Sequence, residues 1–189
     1  MSYTVVTAAA AEPISLAELY LQCRTDSSED SLLTLCMKGA RAKCEAMTGR
    51  ALINRTVDQS FAELDTDGLR LELMPVGSVT SVKYYDTTGT QQTLSSTLYE
   101  VNSLDGLVVI LPKPDATWPE TQDISAPVTV RYVAGYGAAA SSVPDDIRTW
   151  ILMTAAFLYA QSEAMDMTGK TINIPSRFVD GLIDPYKAY

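Results

Sequence analysis

The sequence predicts an α+β fold: a small bundle of about four helices drawn from both chain ends, carrying an inserted antiparallel β subdomain. Residues 15–50 and 143–189 space their apolar side chains with a helical period. Residues 54–136 instead alternate apolar and polar positions in short runs cut by Gly, Pro, Asp and Asn. Helices and strands are thus segregated, unlike the βαβ alternation of parallel-sheet enzymes. The expected organisation is a single domain over 1–189, with a helical framework at 14–50 and 143–187 and a β insertion at 54–136.

The first helix has a strong start signal. Ser15 is placed to cap, Glu18 stands three residues on to complete a capping box, and Ile14 can staple against Leu19. Leu16, Leu19, Tyr20 and Cys23 form its apolar stripe. A polar turn over Arg24–Ser28 leads to a second helix at about Glu29–Thr48, where Leu33, Met37, Ala40, Cys44 and Met47 make a narrow seam. Gly39 and Ala40 leave room for a close neighbour, and Gly49 is the stop. Strands are expected at 56–61, 69–73, 79–85, 91–94, 98–101, 107–111 and 128–133, which suggests a small antiparallel sandwich or barrel. The third helix opens at Pro144, with Asp145 and Asp146 where the helix dipole favours negative charge. Its apolar surface is broad for one amphipathic helix, so a further partner is expected, such as another subunit. A loop at 163–174 leads to a short last helix capped by Ser176, with Phe178, Val179, Leu182 and Ile183 inward.

Composition narrows the chemistry. The 189 residues are 47% hydrophobic and 20% charged, an ordinary balance for a folded protein. The longest apolar runs fall far short of the ~20 residues that span a bilayer, so no membrane partner is expected. The N-terminal MSYTVVTAAAAEP has no basic residue ahead of its apolar stretch and does not fit a secretory signal. It is expected as an ordered or semi-ordered leader. Cys23, Cys36 and Cys44 are odd in number and lack CxxC spacing, so neither a disulfide framework nor a metal site is expected.

There is no histidine, which removes Ser-His-Asp, Cys-His and His-metal sites. The Gly169-Lys170-Thr171 fragment lacks the upstream glycine of a phosphate loop. Acid pairs such as Asp65 with Asp67 and Asp145 with Asp146 sit in turns or first helical turns, where Asp commonly serves the backbone. No catalytic residue, cofactor or metal is therefore assigned. The net charge of −9 is uneven: residues 51–134 hold eleven acids against five bases. Such charge is most simply a solvated face that keeps a protein soluble; the sharper alternative is a surface that lies near nucleic acid without binding it. Two rival classes stay open: a monomeric β module binding carbohydrate or a partner protein, and a hydrolase using a carboxylate pair.

One ordered series of segments carries a resemblance. Met47–Ile53 (MTGRALI) leads to Leu73–Val82 (LMPVGSVTSV), then to the Tyr85-Asp86-x-x-Gly89-Thr90 hairpin and Tyr99-Glu100-Val101. Trp118-Pro119, Val128–Gly137 (VTVRYVAGYG) and Val143–Arg148 (VPDDIR) follow. In this order they resemble the head–tail connector, or adaptor, proteins of tailed phages, prophages and gene-transfer particles, over about residues 5–187. The resemblance implies a structural virion protein of the neck, assembled in the bacterial host cytoplasm as a ring of twelve copies. It implies docking beneath the portal protein, an extended channel for genome DNA, and a platform for a stopper or tail-completion protein. No catalytic residues transfer. Phe178, Leu182 and Tyr186, spaced four apart on the last helix, and the terminal Tyr189 are the expected portal contact; the alternative for Phe178 and Leu182 is a place in the chain's own core. Asp58, Glu63, Asp65, Asp67 and Glu72 are the expected channel-lining acids. The loop at 163–174 is longer than in these relatives.

Overall fold

The computed structural model describes residues 3–104, 107–163 and 180–187. The chain divides into two compact units, one made of Met1–Ala10 with Asn54–Tyr136 and the other of Ala11–Ile53 with Gly137–Tyr189. The first contains the strands and the second the helices.

The β unit has eight strands among the described residues: β1 (Tyr3–Thr7), β2 (Arg55–Phe61), β3 (Leu69–Leu71), β4 (Val76–Tyr85), β5 (Gln91–Thr93), β6 (Tyr99–Leu104), β7 (Leu107–Pro112) and β8 (Val128–Ala134). They form a five-stranded sheet of order β1-β2-β8-β4-β5 and a three-stranded sheet of order β3-β7-β6. Every neighbouring pair is antiparallel. Register follows from strict alternation in β8, where Val128, Val130, Tyr132 and Ala134 are buried and the residues between them are not. Val57 lies opposite Tyr132, and Val82 opposite Val130, so the buried residues of three strands share one face. The register of β4 slips twice, between Val76 and Ser78 and between Val79 and Ser81. Such bulges bend a strand and increase its twist.

The expected N-terminal leader is instead a sheet strand. Tyr3 pairs with Gln59 and Val5 with Val57, so β1 forms the edge of the larger sheet. Its partner lies about fifty residues further along the chain. Residues Thr4–Thr7 are all exposed, which removes the alternation that would have marked them as a strand.

One buried polar side chain joins the two sheets. Gln59 is 1% exposed in the middle of β2. Its Nε2 donates to the carbonyl of Arg70 at 2.9 Å, and its Oε1 accepts from the Glu72 amide at 3.0 Å and from the Tyr132 hydroxyl at 3.0 Å. The Tyr132 hydroxyl in turn accepts from the Leu73 amide at 3.2 Å. The Gln59 amide thus acts as a substitute peptide group along the outer edge of β3, satisfying backbone that would otherwise be buried unpaired.

The helical unit contains α1 (Leu16–Cys23), α2 (Asp30–Thr48) and α3 (Asp145–Glu163). The capping box at the start of α1 forms as expected. Ser15 Oγ accepts from the Glu18 amide at 3.3 Å, and Glu18 Oε2 accepts from the Ser15 amide at 2.7 Å. Arg24 ends α1 in the left-handed region, and a 3-10 turn at Ser27–Glu29, capped by Asp26, leads into α2. Gly49 closes α2 at φ 66°, its amide donating to the Glu45 carbonyl at 2.9 Å. Arg148 ties α3 to the start of α1: it donates to the Pro13 carbonyl at 3.1 Å and pairs with Glu18 at 2.6 Å. Leu19, Leu33, Ala40, Cys44, Ile147 and Ile151 are fully buried in this unit.

The described residues therefore contain three α-helices, against an expected count of about four. The expected last helix from Ser176 falls mostly outside the described residues. Its described end begins with Asp180 in helical conformation, turns through residues 181–183 and continues as a 3-10 turn, Asp184–Tyr186. Leu182 and Tyr186 are four apart, yet no continuous α-helix places them on one stripe.

Candidate assembly surfaces

Antiparallel pairing sends three connections of the β unit to the same end. Phe61 at the end of β2 and Tyr84 near the end of β4 both lie opposite Val128, the first residue of β8. The loops at 62–68, 86–90 and 113–127 therefore gather there, and specific bonds hold them. Trp118 Nε1 donates to the Asp65 carbonyl at 2.9 Å. The Gln122 amide donates to the Tyr85 carbonyl, and the Tyr85 amide to the Pro127 carbonyl, both at 2.9 Å.

This end is strongly acidic. Glu63, Asp65, Asp67, Asp115, Glu120 and Asp123 are exposed in these loops and Asp86 is half-buried, while Lys113 is their single basic residue. Two of the acids also organise their own turns. Asp65 Oδ1 accepts from the Asp67 amide at 2.9 Å. Asp86 accepts from the Thr88 hydroxyl at 2.6 Å, from Gln92 Nε2 at 2.9 Å, and from the amides of Thr90 and Thr88. These donors, led by the Thr88 hydroxyl, hold its carboxyl down to about 2.

Of the five acids expected to line a channel, Glu63, Asp65 and Asp67 lie together at this end. Asp58 does not belong with them. It lies directly opposite Arg131 on the other face of the larger sheet from Val57 and Tyr132, and takes two bonds of 2.7 Å from that guanidinium. The Arg131 hydrogen bonds hold its carboxyl below the usual carboxylate range, and its charge is matched locally. Glu72 is exposed just beyond β3, with its amide on Gln59. The sequence reading missed Asp86, Asp115, Glu120 and Asp123 as members of the cluster. The available signal was strand parity, since the loops after β2, after β4 and before β8 must meet.

Of the four residues expected at a portal contact, Phe178 and Tyr189 lie outside the described residues. Leu182 and Tyr186 are half-buried. Tyr186 was expected to have little of its own core to enter, but it is fastened to the helical unit. Its carbonyl accepts from Arg50 Nε at 2.8 Å. Burial and the neighbouring Asp146 carboxylate raise its phenol pKa. Ile183 beside it is fully buried, and Trp150 Nε1 donates to Asp180 at 3.2 Å.

No constellation for catalysis emerges among the described residues. No group of three or more His, Cys, Asp or Glu is placed to hold a metal ion. Cys36 and Cys44 are buried, and burial pushes the Cys44 thiol up to about 12, leaving it a packing residue. No described helix is long and apolar enough to cross a membrane.

The fold is shared with chains of known structure. The chain is similar to one in the virion of the native gene transfer agent (GTA) particle, at a TM-score of 0.78 and 24% identity, over 100% of this chain and 96% of that one. It is similar to chains in two GTA necks, each at 23% identity over the same shares. One, from the neck of the empty particle computed with C6 symmetry, gives a TM-score of 0.77; the other, from the neck of the native particle computed with C12 symmetry, gives 0.74. The likeness establishes the fold over the whole chain. No family model and no curated protein matches the sequence.

Proposed function

We propose that this protein is a ring-forming head–tail connector, a structural and non-catalytic component of a phage-like neck. One observation carries the reading: the chain corresponds end to end with chains of GTA necks, one of them computed with twelvefold symmetry. In this role twelve copies form a collar beneath the portal protein, extend the channel for genome DNA, and present a platform to a stopper or tail-completion protein. The loop acids Glu63, Asp65 and Asp67, joined by Asp115, Glu120 and Asp123, suit a wall facing DNA. Carboxylates displace no condensed counterions and so do not hold a phosphate backbone. Leu182 and Tyr186, with Phe178 and Tyr189, are assigned to the portal side, and assembly takes place in the host cytoplasm before the particle is complete.

The test is to add the full-length protein to DNA-filled, portal-bearing heads that lack it. A connector sediments with the heads and appears as a collar under the portal in averaged electron micrographs. A protein that stays in the supernatant at every concentration contradicts the assignment.

A further inference from the structure

A closed cyclic ring is built from heterologous contacts, in which each copy offers two different surfaces to its two neighbours. The helical unit has two such surfaces, unlike in shape and charge. The first is the exposed corner between α1 and α2. Leu21 there is 84% exposed. Asp26, Glu29 and Asp30 follow within nine residues, against Arg24 alone, and the Tyr20 hydroxyl donates to Asp30 to hold the corner together. The second is the outward face of α2, opposite its buried seam. Leu35, Gly39 and Ala42 follow one another at helical spacing, and Leu35 is 68% exposed. Lys38 and Lys43 flank this stripe on either side, and α2 has no acid between Ser31 and Cys44.

Gly39 gives the second surface its shape. Among the described residues a Cβ placed there would meet Leu158 Cδ1 of α3 alone, at 3.8 Å, so the missing side chain leaves a shallow notch beside Leu158. Leu158 is itself 39% exposed. Gly inside a helix costs about 1 kcal/mol relative to Ala, and among the described residues no crowding requires it at this position.

Resting on the ring reading above, we infer that the Leu21 corner of one copy seats in the Gly39–Leu158 notch of the next. The occupant is a second copy of this chain. Its acids at Asp26, Glu29 and Asp30 lie against Lys38 and Lys43, and Leu21 fills the apolar centre. Opposite charge around an apolar core fixes the direction of such a contact and disfavours a two-fold pairing of like surfaces.

The experiment uses full-length chains with Cys23→Ser, since Cys36 and Cys44 are buried. Leu21→Cys and Leu35→Cys are made singly and together and treated with a short bis-maleimide during ring assembly, with and without portal-bearing heads. The double variant should give covalent products extending beyond the dimer, an equal mixture of the two single variants a dimer only, and each single variant neither. Lys38→Glu with Lys43→Glu should lower the ring fraction at least tenfold, and adding Asp26→Lys with Glu29→Lys should restore it. Native mass is read in parallel. A ring of normal mass with no Leu21–Leu35 product overturns this contact and leaves the connector reading standing. A monomer under all conditions overturns both.

Discussion

Gln59 shows how one side chain can decide whether two sheets belong together. A primary amide has the donor and acceptor of a peptide group, and Gln59 uses both on Arg70 and Glu72 of the β3 edge while taking the Tyr132 hydroxyl. Gln59→Leu keeps the volume but leaves backbone groups buried without partners, at a cost of about 1–3 kcal/mol for each. A loss of about 3 kcal/mol is expected in urea unfolding, with the denaturant slope unchanged. Asp86 supplies a pH dependence. Its folded pKa of about 2 is depressed below the ordinary carboxylate value. Its contribution is therefore complete above pH ~4 and disappears as the pH falls toward 2. Carbon-13 titration of the side-chain carboxyl should give a midpoint near 2, and a midpoint near 4 would show that the Thr88, Thr90 and Gln92 bonds do not form in solution. Thiol labelling tests the core. Cys36 and Cys44 should resist maleimide in the native protein at pH 8 and react only after unfolding, since burial raises both pKa values and restricts access.

At the scale of elements, glycines separate backbone strain from crowding. Gly49 and Gly68 both have positive φ, 66° and 96°. Among the described residues a Cβ at Gly49 meets nothing within 4 Å, so Gly49→Ala carries conformational strain, about 1 kcal/mol. A Cβ at Gly68 meets Val109 Cγ1 at 2.5 Å and Leu111 Cδ2 at 2.7 Å, so Gly68→Ala should cost clearly more in the same thermal-melt series. Gly39→Ala runs the other way and should stabilise the isolated chain by about 0.5–1 kcal/mol. The legibility of each element follows from how locally it is specified. The α1 capping box and the Gly49 stop of α2 are written within a few residues, and the alternation of β8 within seven. Each was found where expected. The leading strand β1 was not legible, because its partner is remote and its side chains stay exposed. Sheet order was hidden for the same reason: β8 lies between β2 and β4, and no local feature of Val128–Ala134 specifies those neighbours. The acidic loop end was half legible, since its residues were visible as acids but their convergence depends on strand direction.

For the whole molecule, the β unit and the helical unit divide the work that the connector reading requires. The β unit collects exposed carboxylates at one end, so its affinity for DNA should be negligible at physiological salt. Fluorescence anisotropy with a labelled duplex should show no binding at micromolar protein, and replacing Glu63, Asp65, Asp67 and Glu120 with Lys should create binding that weakens steeply as salt is raised. If the Leu21 corner of one copy seats in the Gly39–Leu158 notch of the next, the helical unit supplies the directional contact that a ring requires. The central claim is that this chain forms the collar between portal and tail. The most direct measurement is electron cryomicroscopy of portal-bearing heads incubated with the full-length protein, reconstructed without imposed symmetry. The account predicts a closed ring of twelve copies coaxial with the portal, with the Glu63–Asp67 loop toward the lumen. Heads whose portal stays bare at saturating protein, or density bound elsewhere on the capsid, would contradict it.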